Sequence, residues 1–115
     1  MRRGEIRWVN LDPAISSEAN KRRPAVIVSN DGANSTAARL GRGIMTVVPV
    51  TSNIERVYPF QVRLSAAGTG LLQDSKAQAE QVRSIAFERV GELAGQVPMR
   101  TMLEIDEALL LHLAL

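Results

Sequence analysis

Apolar and polar positions alternate with a period of two over the first two thirds of the chain, and the period lengthens near the end. Glu5 to Leu11 reads as a strand, with Ile6 and Trp8 on one face and Val9 and Leu11 on the other; Asp12-Pro13 closes it as a turn. Ala14 to Arg22 is a polar loop. Pro24 opens a β-branched run, Ala25-Val26-Ile27-Val28, short enough for a strand buried on both faces. Asn30-Asp31-Gly32 ends that run, and residues 33–43 read as a loop with a short helical turn. Ile44 to Val50 is a second buried strand, ended by Thr51-Ser52-Asn53. From Pro59 to Leu64 the alternation places Phe60, Val62 and Leu64 inward and Gln61 and Arg63 outward. Gly68 and Gly70 flank a turn, and Gln78 to Ile85 and Arg89 to Leu93 are shorter strands. From Pro98 to Leu113 the spacing becomes three and four. Met99, Met102, Leu103, Leu109, Leu110 and Leu113 form one side, with Arg100, Glu104 and Glu107 opposite, which predicts an amphipathic helix opened by proline. Short strands followed by one such helix predict a mainly β domain with some α structure, a small β-barrel or twisted sheet capped by a C-terminal helix, over residues 1–115 as one unit.

Charge changes the picture because it is uneven. Residues 1–63 carry ten Lys and Arg against five Asp and Glu, while residues 64–115 carry four against seven. A basic first half is compatible with nucleic-acid contact and equally with a solvated surface. Its densest point is Lys21-Arg22-Arg23, directly before Pro24. The arginines of the opening Met1-Arg2-Arg3 precede no apolar stretch of the kind a secretion signal carries, and no apolar run is long enough to span a bilayer, so the expected location is the cytoplasm.

The residue inventory removes several chemistries. The chain has no cysteine, so disulfides, thiolate metal sites and cysteine nucleophiles are excluded. The one histidine, His112, lies in the terminal helix; a two-histidine metal set and a Ser-His-Asp triad are therefore unavailable. Gly68-Thr69-Gly70 lacks both the lysine of a phosphate loop and the third glycine of a dinucleotide site. What remains is arginine, hydroxyls, carboxamides and a few carboxylates beside strands. That set binds phosphates. It also suits one reaction, because RNA brings its own nucleophile in the 2′-OH. The protein need only align that hydroxyl, help move its proton and stabilise the charge that develops at phosphorus. An arginine fork matches phosphate oxygens, and a threonine hydroxyl adds a second hydrogen bond. Arg23 and Thr51, each at a strand end, are the candidates. Spacing alone favours a polar turn for Thr51-Ser52-Asn53, and Arg23 also reads as a solvated loop cation.

At these residues the chain resembles the MazF/PemK/Kid family of toxin endoribonucleases of type II toxin–antitoxin pairs. The likeness rests on Gly4-Glu5-Ile6 with Trp8-Val9 and Asp12-Pro13, then Ser17-Glu18 and Arg23-Pro24-Ala25-Val26. It continues through Val48-Pro49-Val50-Thr51-Ser52, Tyr58-Pro59-Phe60, Asp74-Ser75 and Glu80-Gln81-Val82-Arg83-Ser84-Ile85. No piece is specific alone; the ordered set over the whole chain is. The resemblance implies an SH3-like, CcdB/PemK-like β-barrel with helices, a homodimer, no cofactor and no metal, and sequence-specific cleavage of single-stranded RNA. The ends left would be a 2′,3′-cyclic phosphate and a 5′-OH. The family's catalytic pair falls on Arg23 and Thr51, its acidic loop residue on Glu18, and an RNA-contacting glutamine on Gln81. A guanidinium is a poor base, so Arg23 is assigned to charge stabilisation. The base remains open among Glu18, Glu80, water and solvent. Asn20, Lys21, Arg22, Ser52, Asn53 and Glu80 complete the candidate RNA-binding set. Trp8, Tyr58 and Phe60 are assigned to the core or a dimer interface rather than to base stacking.

The resemblance also implies a MazE-type antitoxin whose acidic, disordered tail would cover the basic groove. Two other readings stand beside it. One is a CcdB-like gyrase poison, whose activity depends on a Trp-Gly-Ile C-terminus where this chain ends Leu113-Ala114-Leu115. The other is a nucleic-acid-binding regulator without chemistry.

Overall fold

The computed structural model describes residues 1–11 and 22–115. Its strands are β1 (Glu5–Asn10), β2 (Arg22–Ile27), β3 (Ile44–Thr51), β4 (Gln61–Leu64), β5 (Ser75–Gln78), β6 (Arg83–Ala86) and β7 (Val90–Gln96). Its helices are α1 (Asp31–Leu40), α2 (Ala66–Thr69) and α3 (Met99–Leu113). The strands pair in the order β4-β5-β3-β2-β1-β7, every pairing antiparallel, with β6 on β3 beside that path. The expected mainly β architecture with a C-terminal helix is present. Among the described residues no pairing joins β4 to β7, so the sheet curves but stays open.

β3 organises the sheet. One edge pairs with β2, and the other is divided: Ile44 to Val47 pair with β6, Val50 and Thr51 with β5. A continuous strand from Gln78 to Ile85, the sequence expectation, cannot serve both halves of that edge. The chain steps along it through a 3₁₀ turn at Ala79–Gln81, closed by the Val82 N–H on the Ala79 carbonyl at 3.1 Å.

Alternating side chains put two apolar layers on the sheet. Ile6, Val26, Val48, Val50, Val62 and Leu64 pack with Met102, Ile105 and Ala108 of α3. Val9, Ala25, Ile27, Met45, Val47 and Ile85 pack with Ala37 of α1. Ala25 to Ile27 and Val47 to Val50 are therefore buried on both faces, as expected, while Ile44, expected buried, is exposed.

Four local expectations are corrected. Residues 31–40 form a ten-residue helix, not a loop. Asn30 caps it, accepting from the Ala33 N–H at 2.7 Å, and Gly41 ends it at φ 68°. Buried Asn34 ties it to Ser29 by two hydrogen bonds, of 2.5 and 2.9 Å. Second, Gln61 points inward. Its Nε2 donates to Glu80 Oε2 at 2.7 Å and its Oε1 accepts from the Tyr58 N–H at 3.1 Å, which satisfies a buried amide. Third, α3 buries Met102, Ile105 and Ala108, while Met99, Leu103, Leu110 and Leu113 are exposed. Fourth, Pro24 lies inside β2 rather than opening it, opposite Trp8. The β2–β3 ladder ends at Ala25, so the proline sits where β2 has one neighbour and its missing N–H costs no ladder bond.

Gly95 of β7 lies against the end of α2: a Cβ there would meet the Thr69 carbonyl oxygen at 2.6 Å. That close approach sets the position of the following segment, residues 70–73. Gly95→Ala is expected to destabilise the protein by about 1–3 kcal/mol, read as a lowered melting temperature.

Candidate functional site

The β2–β3 register brings the two sequence candidates together. Ala25 stands opposite Pro49 and Val26 opposite Val48. Two places further on, the same register sets Arg23 opposite Thr51 on one face. The paired ladder of the two strands ends at Ala25 and Pro49, while β3 keeps β5 on its other edge. Their ends splay, and a cleft of about 520 Å³ opens between them, lined by Arg23, Thr51, Ser52, Trp8 and Ser75, with residues 70–73 as one wall.

The two side chains are differently prepared. Thr51 is half-buried, and its Oγ1 accepts from the Asn53 N–H at 3.2 Å. A threonine hydroxyl that accepts in this way can still donate its own proton to a ligand oxygen. Asn53 is exposed; its Oδ1 accepts from the Glu55 N–H at 3.3 Å, which leaves its amide N–H groups outward. Arg23 is exposed, and among the described residues no ion pair or side-chain hydrogen bond engages it. A guanidinium and a hydroxyl lining one cleft can bind an oxyanion together.

Arg22 differs from its neighbour. It faces the other side of β2, where it forms an ion pair with Glu92 of β7 and lies 6.0 Å from the Trp8 ring centroid. Gly91 makes room for that reach, since a Cβ there would lie 3.0 Å from Arg22 Nη2 and 3.1 Å from the Trp8 carbonyl. The hydrogen bond from Arg22 holds the Glu92 carboxyl below its ordinary range, helped by a backbone N–H. A carboxylate lowered in this way keeps its partner at neutral and mildly acidic pH. The pair's contribution is lost only as pH falls through that lowered range. Arg22 is thus occupied by an internal anion that a phosphate must displace. Glu92→Gln is expected to tighten binding of single-stranded RNA severalfold at neutral pH and to steepen its salt dependence by about 0.7 in the log–log slope, measured by salt titration of affinity.

The remaining candidates are dispersed. Glu18, Asn20 and Lys21 lie outside the described residues. Ser52 lines the cleft. Glu80 and Gln81 stand in the 3₁₀ turn and are not among the residues lining the cleft; Glu80 is held by Gln61, and Gln81 is exposed. Residues 70–73 and Glu92 had no functional signal in the sequence: the first read as a turn, the second as a strand carboxylate. Their place depends on which strands become neighbours.

The fold is that of the CcdB/PemK-like toxins. MazF (Form-I) from Deinococcus radiodurans superposes with a TM-score of 0.77 at 28% identity, over 100% of this chain and 97% of that one. A mycobacterial endoribonuclease solved in complex with its cognate antitoxin superposes with a TM-score of 0.76 at 23% identity, over 100% and 96% of the two chains. The sequence profile of the PemK-like, MazF-like toxins of type II toxin–antitoxin systems matches residues 2–113, and the chain belongs to that family. Endoribonuclease MazF9 of Mycobacterium tuberculosis is 66% identical over 115 residues, 100% of this chain and 98% of that protein.

Proposed function

We propose that this protein is the endoribonuclease toxin of a type II toxin–antitoxin pair and that it cuts single-stranded RNA in the cleft between β2 and β3. The observation that carries the reading is that Arg23, which no ion pair engages among the described residues, and Thr51 line the same cleft. Arg23 binds the non-bridging oxygens of the scissile phosphate and stabilises their charge as the 2′-OH attacks; Thr51 donates to the same phosphate and orients it. The 2′-oxygen forms a bond to phosphorus, the bond to the 5′-oxygen breaks, that oxygen takes up a proton from solvent, and the products are a 2′,3′-cyclic phosphate and a 5′-OH. Glu80 does not line the cleft. The 2′-OH proton therefore passes to Glu18, to a water or to solvent. Ser52 and Asn53, beside the cleft, read base edges, as is usual for unstacked single-stranded RNA.

The partners follow from the same surface. The basic half of the chain offers a MazE-type antitoxin a site for an acidic segment that competes with RNA. The exposed Met99, Leu103 and Leu111 of α3 form an apolar strip that fits a homodimer. Among the described residues no helix is long and apolar enough to cross a membrane. Cytoplasmic action on RNA accords with that.

The test is digestion of a long, mixed-sequence RNA by purified protein in EDTA, with the ends mapped by sequencing. Cuts at one short motif that end in cyclic phosphate support the reading. Intact RNA from folded protein, together with binding to gyrase or to RNA alone, overturns it.

A further inference from the structure

The cross-strand registers extend the site beyond its two central residues. Thr51 of β3 is opposite Lys76 of β5, and Lys76 is opposite Arg63 of β4. These three residues form one row across β3, β5 and β4, on one face, at the usual spacing of ~4.8 Å per strand, and Arg23 stands across the cleft from its Thr51 end. Lys76 is nearly buried at 8% exposure, and its Nζ donates to the Arg56 carbonyl at 2.6 Å. Directly beside it is an aromatic pair. The Tyr58 and Phe60 rings stack with centroids 5.3 Å apart and planes 1° from parallel. The Lys76 ammonium lies 6.0 Å and the Arg56 guanidinium 5.8 Å from the Tyr58 centroid, and Arg56 Nη1 is 3.3 Å from the Tyr58 hydroxyl.

A tyrosine that serves the core is buried, with its hydroxyl partnered inside. Tyr58 is 41% exposed, and its hydroxyl partner is an exposed arginine. Its backbone is nonetheless fixed, because the Tyr58 N–H donates to the buried Gln61 amide. The ring thus stacks on Phe60, has two cations within about 6 Å over it and stays partly open to solvent, next to the Lys76 position of the row. Rigid exposed aromatics with cations beside them are how proteins hold unstacked bases.

We infer that Tyr58 is a stacking platform for the base of a nucleotide flanking the cleaved bond, with Arg56 and Lys76 supplying the positive potential for the adjoining phosphate. This rests on the nuclease reading above and adds a subsite to it. It also revises the assignment of Tyr58 to the core or a dimer interface.

The experiment uses oligonucleotides that carry the mapped cleavage motif, each with one flanking base removed to leave an abasic nucleotide. kcat/KM is compared for wild type, Tyr58→Phe, Tyr58→Leu and Tyr58→Ala, with folding checked by thermal melting. The wild-type value is expected to fall about tenfold when one particular flanking base is absent. Tyr58→Phe should behave as wild type. Tyr58→Leu, which keeps bulk without a π-face, and Tyr58→Ala should lose about tenfold on intact RNA and become insensitive to that base. If the folded Leu and Ala variants cut intact RNA at the wild-type rate, or remain as sensitive as wild type to every abasic position, the inference is overturned while the nuclease stands. Wild type that cuts no RNA overturns both.

Discussion

Arg23→Ala is expected to lower the rate of RNA cleavage by about 10²–10³-fold, the usual cost of removing one preorganised donor from a developing oxyanion. The loss should fall on kcat more than on RNA affinity. Arg22, Arg56, Arg63 and Lys76 remain elsewhere on the protein, the first and third of them in ion pairs, and long-range phosphate attraction is shared among them. Arg23→Lys should rescue little, because an ammonium cannot present the planar fork that spans two phosphate oxygens. Single-turnover cleavage of a motif-bearing oligonucleotide, beside its equilibrium affinity, separates the two effects. A variant that cuts at the wild-type rate would remove Arg23 from the chemistry.

The second large effect is on the fold. Ile105 is fully buried, and with Met102 and Ala108 it fixes α3 to the layer formed by Ile6, Val26, Val48 and Val50. Ile105→Ala removes that contact and leaves a cavity under a helix that can collapse only partly. The expected cost is about 2–5 kcal/mol, a fall in melting temperature on the order of 10 °C. Leu103→Ala, on the exposed side of the same helix, should change the monomer's stability far less. Thermal unfolding of the two variants side by side checks the assignment of faces, which periodicity alone did not settle. Leucines at three and four mark an apolar helix without saying which side meets the sheet.

The strands were legible where both faces are buried, at 25–27 and 47–50, because a short β-branched run suits a strand. α1 was not, since its inward face is made of Asn34 and Ala37 and gives almost no apolar period. Its caps, Asn30 and Gly41, were the available signal. Arg23 and Thr51 could be named from chemistry and from the family pattern, whereas their meeting required the β2–β3 register. The difference between Arg22 and Arg23 lay beyond sequence altogether. Adjacent residues of a strand face opposite ways, and only the placement of β7 puts Glu92 within reach of Arg22.

The central claim is that the attacking oxygen belongs to the RNA itself, with Arg23 and Thr51 stabilising the charge it creates. The most direct measurement places a single 2′-deoxynucleotide at the mapped cut, on the 5′ side of the scissile phosphate, in an otherwise unchanged RNA. Cleavage at that bond is expected to disappear while binding persists. Continued cutting there, with a linear phosphate at the new end, would show that a water molecule or a protein group is the nucleophile and would contradict the mechanism.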